Sequence, residues 1–213
     1  MIYFVRHGQT DDNKYGIIQG NKPLNETGVA QAKETAEMLK NEHFDICYCS
    51  PLERTKQTMQ EIVKFHEKLD VIFDERLVER KYGKHVGKFK NYVENYDKRW
   101  LANQPLVETI ETIPEMLERV SSFFNEILPK HKGQNILIVA HSGVARIANA
   151  YFNGVPTDGD YTKFKLKNAE VAKFENEWGA LWFISNLKKQ NCLRDLQIRL
   201  MNIILKIMIS ITA

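Results

Sequence analysis

Six polar side chains stand at strand ends and in loops. Ile2 to Val5 is a short run of branched and aromatic residues, the pattern of a buried strand, and it ends in Arg6-His7-Gly8. Gln134 to Ala140 contains a second such run, Ile136 to Val139, and leads into His141-Ser142-Gly143. A third strand-like segment, Phe44 to Cys49, is followed at once by Ser50-Pro51-Leu52-Glu53 and then Arg54. Ionisable groups at the C-terminal ends of buried strands lie where an open α/β sheet places ligand chemistry. Asn13, in the polar stretch after the first strand, brings an amide that can donate, and Glu79 brings a carboxylate among glycines and bases. Two imidazoles, two guanidiniums, an amide and a carboxylate suit phosphoryl transfer. The arginines and Asn13 would hold the equatorial oxygens, one histidine would attack, and Glu79 would protonate the leaving oxygen. Singly, each has an ordinary reading: a polar strand end for Arg6 and His7, a turn for Asn13, a surface pair with Glu53 or Asp45 for Arg54. The set discriminates where its members do not.

The elements that must position these groups alternate. A polar loop over 11–20 precedes a helix entered through Pro23 to Thr27 and running to about Asn41, with Val29, Ala32, Ala36 and Leu39 on one face. Ser50 is expected to cap the next helix, with Pro51 at its first position and Glu53 completing a capping box. That places Arg54 in the first turn, where the helix dipole and the guanidinium both favour an anion. Asp70 to Phe73 reads as a short third strand, and Lys88 to Asn103 as a helix on which Tyr92, Tyr96 and Trp100 form a stripe. Thr112 to Glu115 opens a helix ending near Lys130, and Val144 to Phe152 is helical. Tyr161 to Leu166, Glu170 to Phe174 and Ala180 to Leu187 read as short strands, with a turn at Glu177-Trp178-Gly179. Strands alternating with helices predict a three-layer α/β sandwich: a mainly parallel sheet with helices on both faces.

A chain of 213 residues, 43% hydrophobic and 27% charged, fits one domain. Its net charge of +3, with lysines dispersed, argues against nucleic acid as a partner. Cys47, Cys49 and Cys192 are odd in number, and the first two share a strand face too closely to bond each other, which fits a reduced, cytoplasmic protein. No signal peptide is apparent. From Ile198 the chain is almost wholly apolar, with Arg199, Asn202, Lys206 and Ser210 recurring every three or four residues. Such a helix is shorter than the roughly 20 residues a membrane span needs. Packing on the domain, a homodimer contact or an interfacial membrane helix are its options, in that order. Residues 1–187 are thus read as the domain, 80–112 as an insertion over the site, and 188–213 as a helical tail.

Arg6-His7-Gly8-Gln9-Thr10 with Asn13, Gly20 with Pro23 to Gly28, Ser50 to Thr58, Leu77-Val78-Glu79 with Gly83 and Gly87, and Ala140 to Gly143 resemble, in order, the motifs of the histidine phosphatase superfamily, also called the phosphoglycerate mutase-like family. The resemblance spans residues 1 to about 150 and implies the phosphoglycerate mutase-like fold. It implies that His7 becomes a phosphohistidine, that Arg6, Asn13, Arg54 and His141 hold the phosphate, and that Glu79 is the acid and then the base for water. It puts Thr10, Gly20, Tyr82, Lys90 and Ser142 at the substrate, and it implies no metal or other cofactor. Asn21 and Val86 depart from the family's usual aspartate and glutamate, at positions taken not to carry the chemistry.

Within that family, Glu79 to Gly83 with Lys90 resembles the mutases. The stretch between Asn103 and Thr112, however, lacks the Arg-Arg pair that grips the mutase substrate's carboxylate, Ser142-Gly143 replaces the mutase glycine and asparagine, and Ser50-Pro51-Leu52 with Gln57 is more phosphatase-like. The expectation is a phosphatase acting on a small phosphorylated metabolite. A cofactor-dependent phosphoglycerate mutase is the alternative, and a non-catalytic phosphate-binding module the third reading.

Overall fold

The computed structural model describes residues 1–93, 96–103, 107 and 109–175. Strands β1 (Ile2–Arg6), β2 (Ile46–Cys49), β3 (Val71–Phe73), β4 (Ile136–Ala140) and β5 (Val171–Phe174) form one sheet in the order β3-β2-β4-β1-β5. The first four are parallel and β5 runs antiparallel to β1. Between them lie helices α1 (Asp11–Lys14), α2 (Glu26–Leu39), α3 (Glu53–Val63), α4 (Ile113–Lys130) and α5 (Ser142–Asn153).

The pleat divides the core. Ile2, Phe4, Tyr48, Ile136 and Ile138 point to one face and pack with Met116, Val120, Phe124, Ile147 and Tyr151 of α4 and α5. Tyr3, Val5, Cys47, Cys49, Leu137 and Val139 point to the other and meet Ala36, Leu39, Met59 and Ile62 of α2 and α3. All five residues of β4 are buried, as a strand covered on both faces must be. The predicted three-layer α/β sandwich is the observed architecture. Cys47 and Cys49 are buried and unbonded, and burial pushes both thiols up, Cys49 to about 12. Among the described residues no helix is long and apolar enough to cross a membrane.

Four local expectations are overturned, one by a local cap and three by tertiary partners. The 11–20 loop begins with a helical turn, because Thr10 and Asn13 close a capping box on each other. Ser50 does not cap α3. Its N–H continues the sheet to the Val139 carbonyl at 3.0 Å and its hydroxyl faces His141, so Leu52 is the cap residue and Asn21 Oδ1 accepts from the Glu53 N–H at 2.7 Å instead.

Among the described residues, Lys88 to Asn103 forms no α-helix. It holds two 3-10 turns, Lys90–Tyr92 and Tyr96–Lys98, and the expected stripe is broken: Tyr92 is exposed, Trp100 is buried against the guanidiniums of Arg80 and Arg146, and Tyr96 faces Tyr82 at 6.0 Å. Side chains drawn in different directions cannot share one helix face, and tertiary contacts outweigh helix propensity. Tyr161 to Leu166 is likewise not a strand, since the Tyr161 and Leu166 carbonyls accept from Arg146 and Arg6 rather than from a neighbouring strand. The strand expected at 180–187, the turn before it and the tail from 188 lie outside the described residues.

Candidate active site

Parallel pairing brings the two histidines together. Arg6 is the register partner of Ala140, and the His7 N–H donates to the Ala140 carbonyl at 3.0 Å, so His7 and His141 leave neighbouring strands at the same level. Their ring centroids are 5.2 Å apart, close to the spacing of adjacent strands. The first turn of α3 places Arg54 against both rings. Its Nε donates to His7 Nε2 at 3.1 Å, its second terminal nitrogen lies 3.1 Å from His141 Nδ1, and its first donates to the Gly20 carbonyl at 2.7 Å.

The remaining bonds fix the tautomers. His7 Nδ1 lies 2.7 Å from the Gly8 carbonyl, an acceptor, so Nδ1 carries the proton and Nε2 the lone pair. His141 Nδ1 accepts from Arg54, which leaves Nε2–H to donate to Ser50 Oγ at 2.8 Å. Burial holds both imidazoles well below their ordinary pKa, and the neighbouring guanidiniums of Arg54 and Arg6 push the same way. Burial also lowers Arg54, to about 10.

The loop carrying His7 is clamped by backbone. A Cβ on Gly28 would lie 2.0 Å from the Gln9 carbonyl oxygen, so the first turn of α2 reaches this loop only as glycine. The Gly8 N–H donates to Thr58 Oγ1 at 3.1 Å, tying the same loop to α3.

A cavity of about 170 Å³ opens beside this cluster. Arg6, Asn13, Glu79, Ser142 and Gly143 are among the residues that line it. His7, Arg54 and His141, at most 1% exposed, are not in its lining. Arg6 Nε and Asn13 Nδ2 are buried donors with no hydrogen-bond partner among the described residues, which is where an anion's oxygens would be received. Glu79 accepts from the Gly143 N–H at 3.2 Å, at the start of α5, and from the Arg80 N–H at 2.9 Å. A Cβ on Gly143 would fall 2.1 Å from Glu79 Oε1.

Of the residues singled out from sequence, Tyr82, Lys90 and Ser142 line the cavity, whereas Thr10 and Gly20 do not. Thr10 is fully buried and positions Asn13, and Gly20 holds Arg54 by its carbonyl. Sequence reasoning missed Ser50 as a partner of His141, Thr58 beneath Gly8, Asn21 as the cap of α3, and Arg99, Arg146 and Lys165 in the cavity wall. Only Ser50 carried a signal, a hydroxyl one residue beyond a buried strand.

The chain matches a family model described as histidine phosphatase superfamily (branch 1) over residues 2–189. It is 32% identical over 172 residues to phosphoserine phosphatase 1 of Hydrogenobacter thermophilus, covering 76% of this chain and 79% of that protein. It is 30% identical over 175 residues to a phosphoglycerate mutase of Schizosaccharomyces pombe, covering 74% and 82%. The structure of a phosphoserine phosphatase from Entamoeba histolytica in complex with 3-phosphoglyceric acid superposes with a TM-score of 0.68 at 27% identity, over 80% of this chain and 87% of that one. A match of this extent, on a sheet that delivers two histidines and an arginine to one point, shows that the chain belongs to the histidine phosphatase superfamily, branch 1.

Proposed function

We propose that the protein hydrolyses small phosphomonoesters through a phosphohistidine on Nε2 of His7. The observation that carries this reading is the His7 tautomer: with Nδ1–H given to Gly8, the only lone pair in the ring plane is on Nε2, which faces Arg54. A neutral imidazole is a competent nucleophile, and burial keeps it neutral.

The reaction balances with these residues. His7 Nε2 attacks phosphorus, displacing the Arg54 Nε–H from its lone pair, and that guanidinium then donates to the phosphoryl oxygens. The ester P–O bond breaks and Glu79 gives its proton to the departing oxygen. Glu79, now a carboxylate, takes a proton from water; the water oxygen attacks phosphorus, the P–N bond breaks, and phosphate leaves. Arg6 and Asn13 donate to the equatorial oxygens throughout, and Tyr82, Tyr96 and Trp100 line the cavity that would receive the leaving group.

Two relatives, a phosphoserine phosphatase and a phosphoglycerate mutase, bracket the choice of acceptor for the phosphoryl group. Tyr82 and Lys90 in the lining are what the mutase alternative rests on. Hydrolysis of p-nitrophenyl phosphate, abolished in His7→Ala, with label trapped as an acid-labile, alkali-stable phosphoprotein, is the expected result. Retained turnover in His7→Ala would end the reading. Interconversion of 3- and 2-phosphoglycerate dependent on a bisphosphate would replace it with the mutase.

A further inference from the structure

Glu79 has no regular element of its own to hold it. Arg6, His7, Asn13, Arg54 and His141 lie in, or directly after, a strand or an α-helix. Val78 to Tyr82 instead run between the 3-10 turns Glu75–Leu77 and Gly83–His85 and belong to neither. A group that must meet a departing oxygen cannot wander, since a misplacement of about 1 Å can cost on the order of 100-fold in rate.

The main chain on both sides of Glu79 is bonded to one ion pair, between Arg119 of α4 and Glu111 just before that helix. Arg119 Nε and one terminal nitrogen donate to the two oxygens of the Glu111 carboxylate, each at 2.7 Å. The other terminal nitrogen donates to the Arg76 carbonyl at 2.7 Å and to the Val78 carbonyl at 3.0 Å. The Val78 carbonyl shares a rigid peptide plane with the Glu79 N–H, so this bond sets the direction in which Glu79 leaves the chain. On the far side, Glu111 Oε2 accepts from the Lys81 N–H at 3.1 Å, and the Glu111 N–H donates to the Lys81 carbonyl at 2.8 Å. The Glu111 carbonyl accepts from Arg80 Nε at 2.6 Å. The side chains of Arg119 and Glu111 are 13% and 8% exposed, so salt screens the pair little. Neither residue lines the cavity.

Resting on the phosphatase reading, we infer that Arg119 and Glu111 are positioning residues for proton delivery: the fork between them fixes the main chain from Arg76 to Lys81 and so aims the Glu79 carboxylate at the leaving oxygen. A lysine at position 119 keeps the charge but, as a point donor, cannot hold a carboxylate and two carbonyls in the plane of one guanidinium. It loosens the acid while leaving His7 and the cavity lining as they are.

The test is Arg119→Lys in the full chain, with kcat/KM measured on p-nitrophenyl, phenyl and 2-hydroxyethyl phosphate, whose leaving oxygens are progressively more basic and need a proton progressively more. The loss is expected to be under about threefold on p-nitrophenyl phosphate and to grow along the series to about tenfold or more. Added to Glu79→Gln, Arg119→Lys should cost nothing further on the basic esters, because it acts only through that carboxylate. Glu111→Gln, which keeps the side chain's size, is expected to give the same graded loss and takes the place of Arg119→Lys should the lysine variant not fold. A loss of equal size along the series, no loss, losses that multiply in the double variant, or a wild type confined to p-nitrophenyl phosphate would overturn the inference and leave hydrolysis through His7 standing. A wild type that hydrolyses none of the three esters removes both.

Discussion

The guanidinium of Arg54 bridges His7 and His141, 3.1 Å from a nitrogen of each ring, and is itself fully buried. In the proposed reaction, removing it takes away the donor facing the attacking nitrogen and a main charge held for the phosphoryl oxygens. Arg54→Ala is expected to lower kcat about 100-fold or more on p-nitrophenyl phosphate, with the fold retained by circular dichroism. Because the cation pushes both imidazoles down, their pKa values, read by NMR, should rise in the variant. Unchanged kcat would remove Arg54 from the reaction.

Burial of two neutral histidines makes stability depend on pH. Their folded-state pKa values lie well below the ordinary 6.5, so the unfolded chain binds more protons as pH falls through 6.5. Stability is therefore lost on acidification from 6.5 toward the folded values, by up to about 1.4 kcal/mol per pH unit for each histidine. Thermal melts at pH 7.5 and 5 should show a larger drop for the wild type than for His7→Gln/His141→Gln. An equal drop in both proteins would place the dependence elsewhere.

Glu79 is expected to matter in proportion to how poorly the leaving oxygen departs. Glu79→Gln should lower kcat/KM, which reports formation of the phosphohistidine, about 100-fold or more for alkyl phosphates and far less for p-nitrophenyl phosphate, since nitrophenolate leaves without a proton. Equal losses in kcat/KM on both substrates would remove Glu79 as the acid.

Gly143 provides an independent route to the same result. Alanine there puts a Cβ 2.1 Å from Glu79 Oε1 and 2.8 Å from Trp100, so the carboxylate must move. Gly143→Ala is expected to reproduce the leaving-group dependence of Glu79→Gln. A variant that handles alkyl phosphates like wild type would show that the carboxylate's placement is not critical.

Ser50 acts through its neighbour. Ser50→Ala leaves His141 Nε2–H buried without its acceptor, which costs about 1–3 kcal/mol of stability. It also frees the ring to change tautomer, so kcat should fall and its pH profile shift. Ser50→Cys, which keeps a weak acceptor, should recover part of the loss. A profile identical to wild type would reduce Ser50 to packing.

What could be foreseen from sequence follows the range of the forces involved. β1, β4 and the capping box that opens α4 announce themselves, because strand patterns and caps are written within a few residues. The meeting of Arg6, His7, Arg54 and His141 was legible because each follows directly on a buried strand or opens a helix. The segment from Lys88 to Asn103 was not, since Trp100 answers to Arg80 and Arg146 and Tyr96 to Tyr82. Arg146 and Lys165 carried no local mark at all. An arginine inside an apolar helix and a lysine between a phenylalanine and a leucine become cavity residues only when distant segments fold over them.

The separation of the two imidazoles is dictated by main-chain pairing between β1 and β4, with Arg6 opposite Ala140, and not by what the side chains of the core happen to be. Substitutions can therefore redraw the interior and the cavity rim while the seat for phosphorus keeps its dimensions. Diversification of specificity on this scaffold is then a matter of changing upholstery on an unaltered frame.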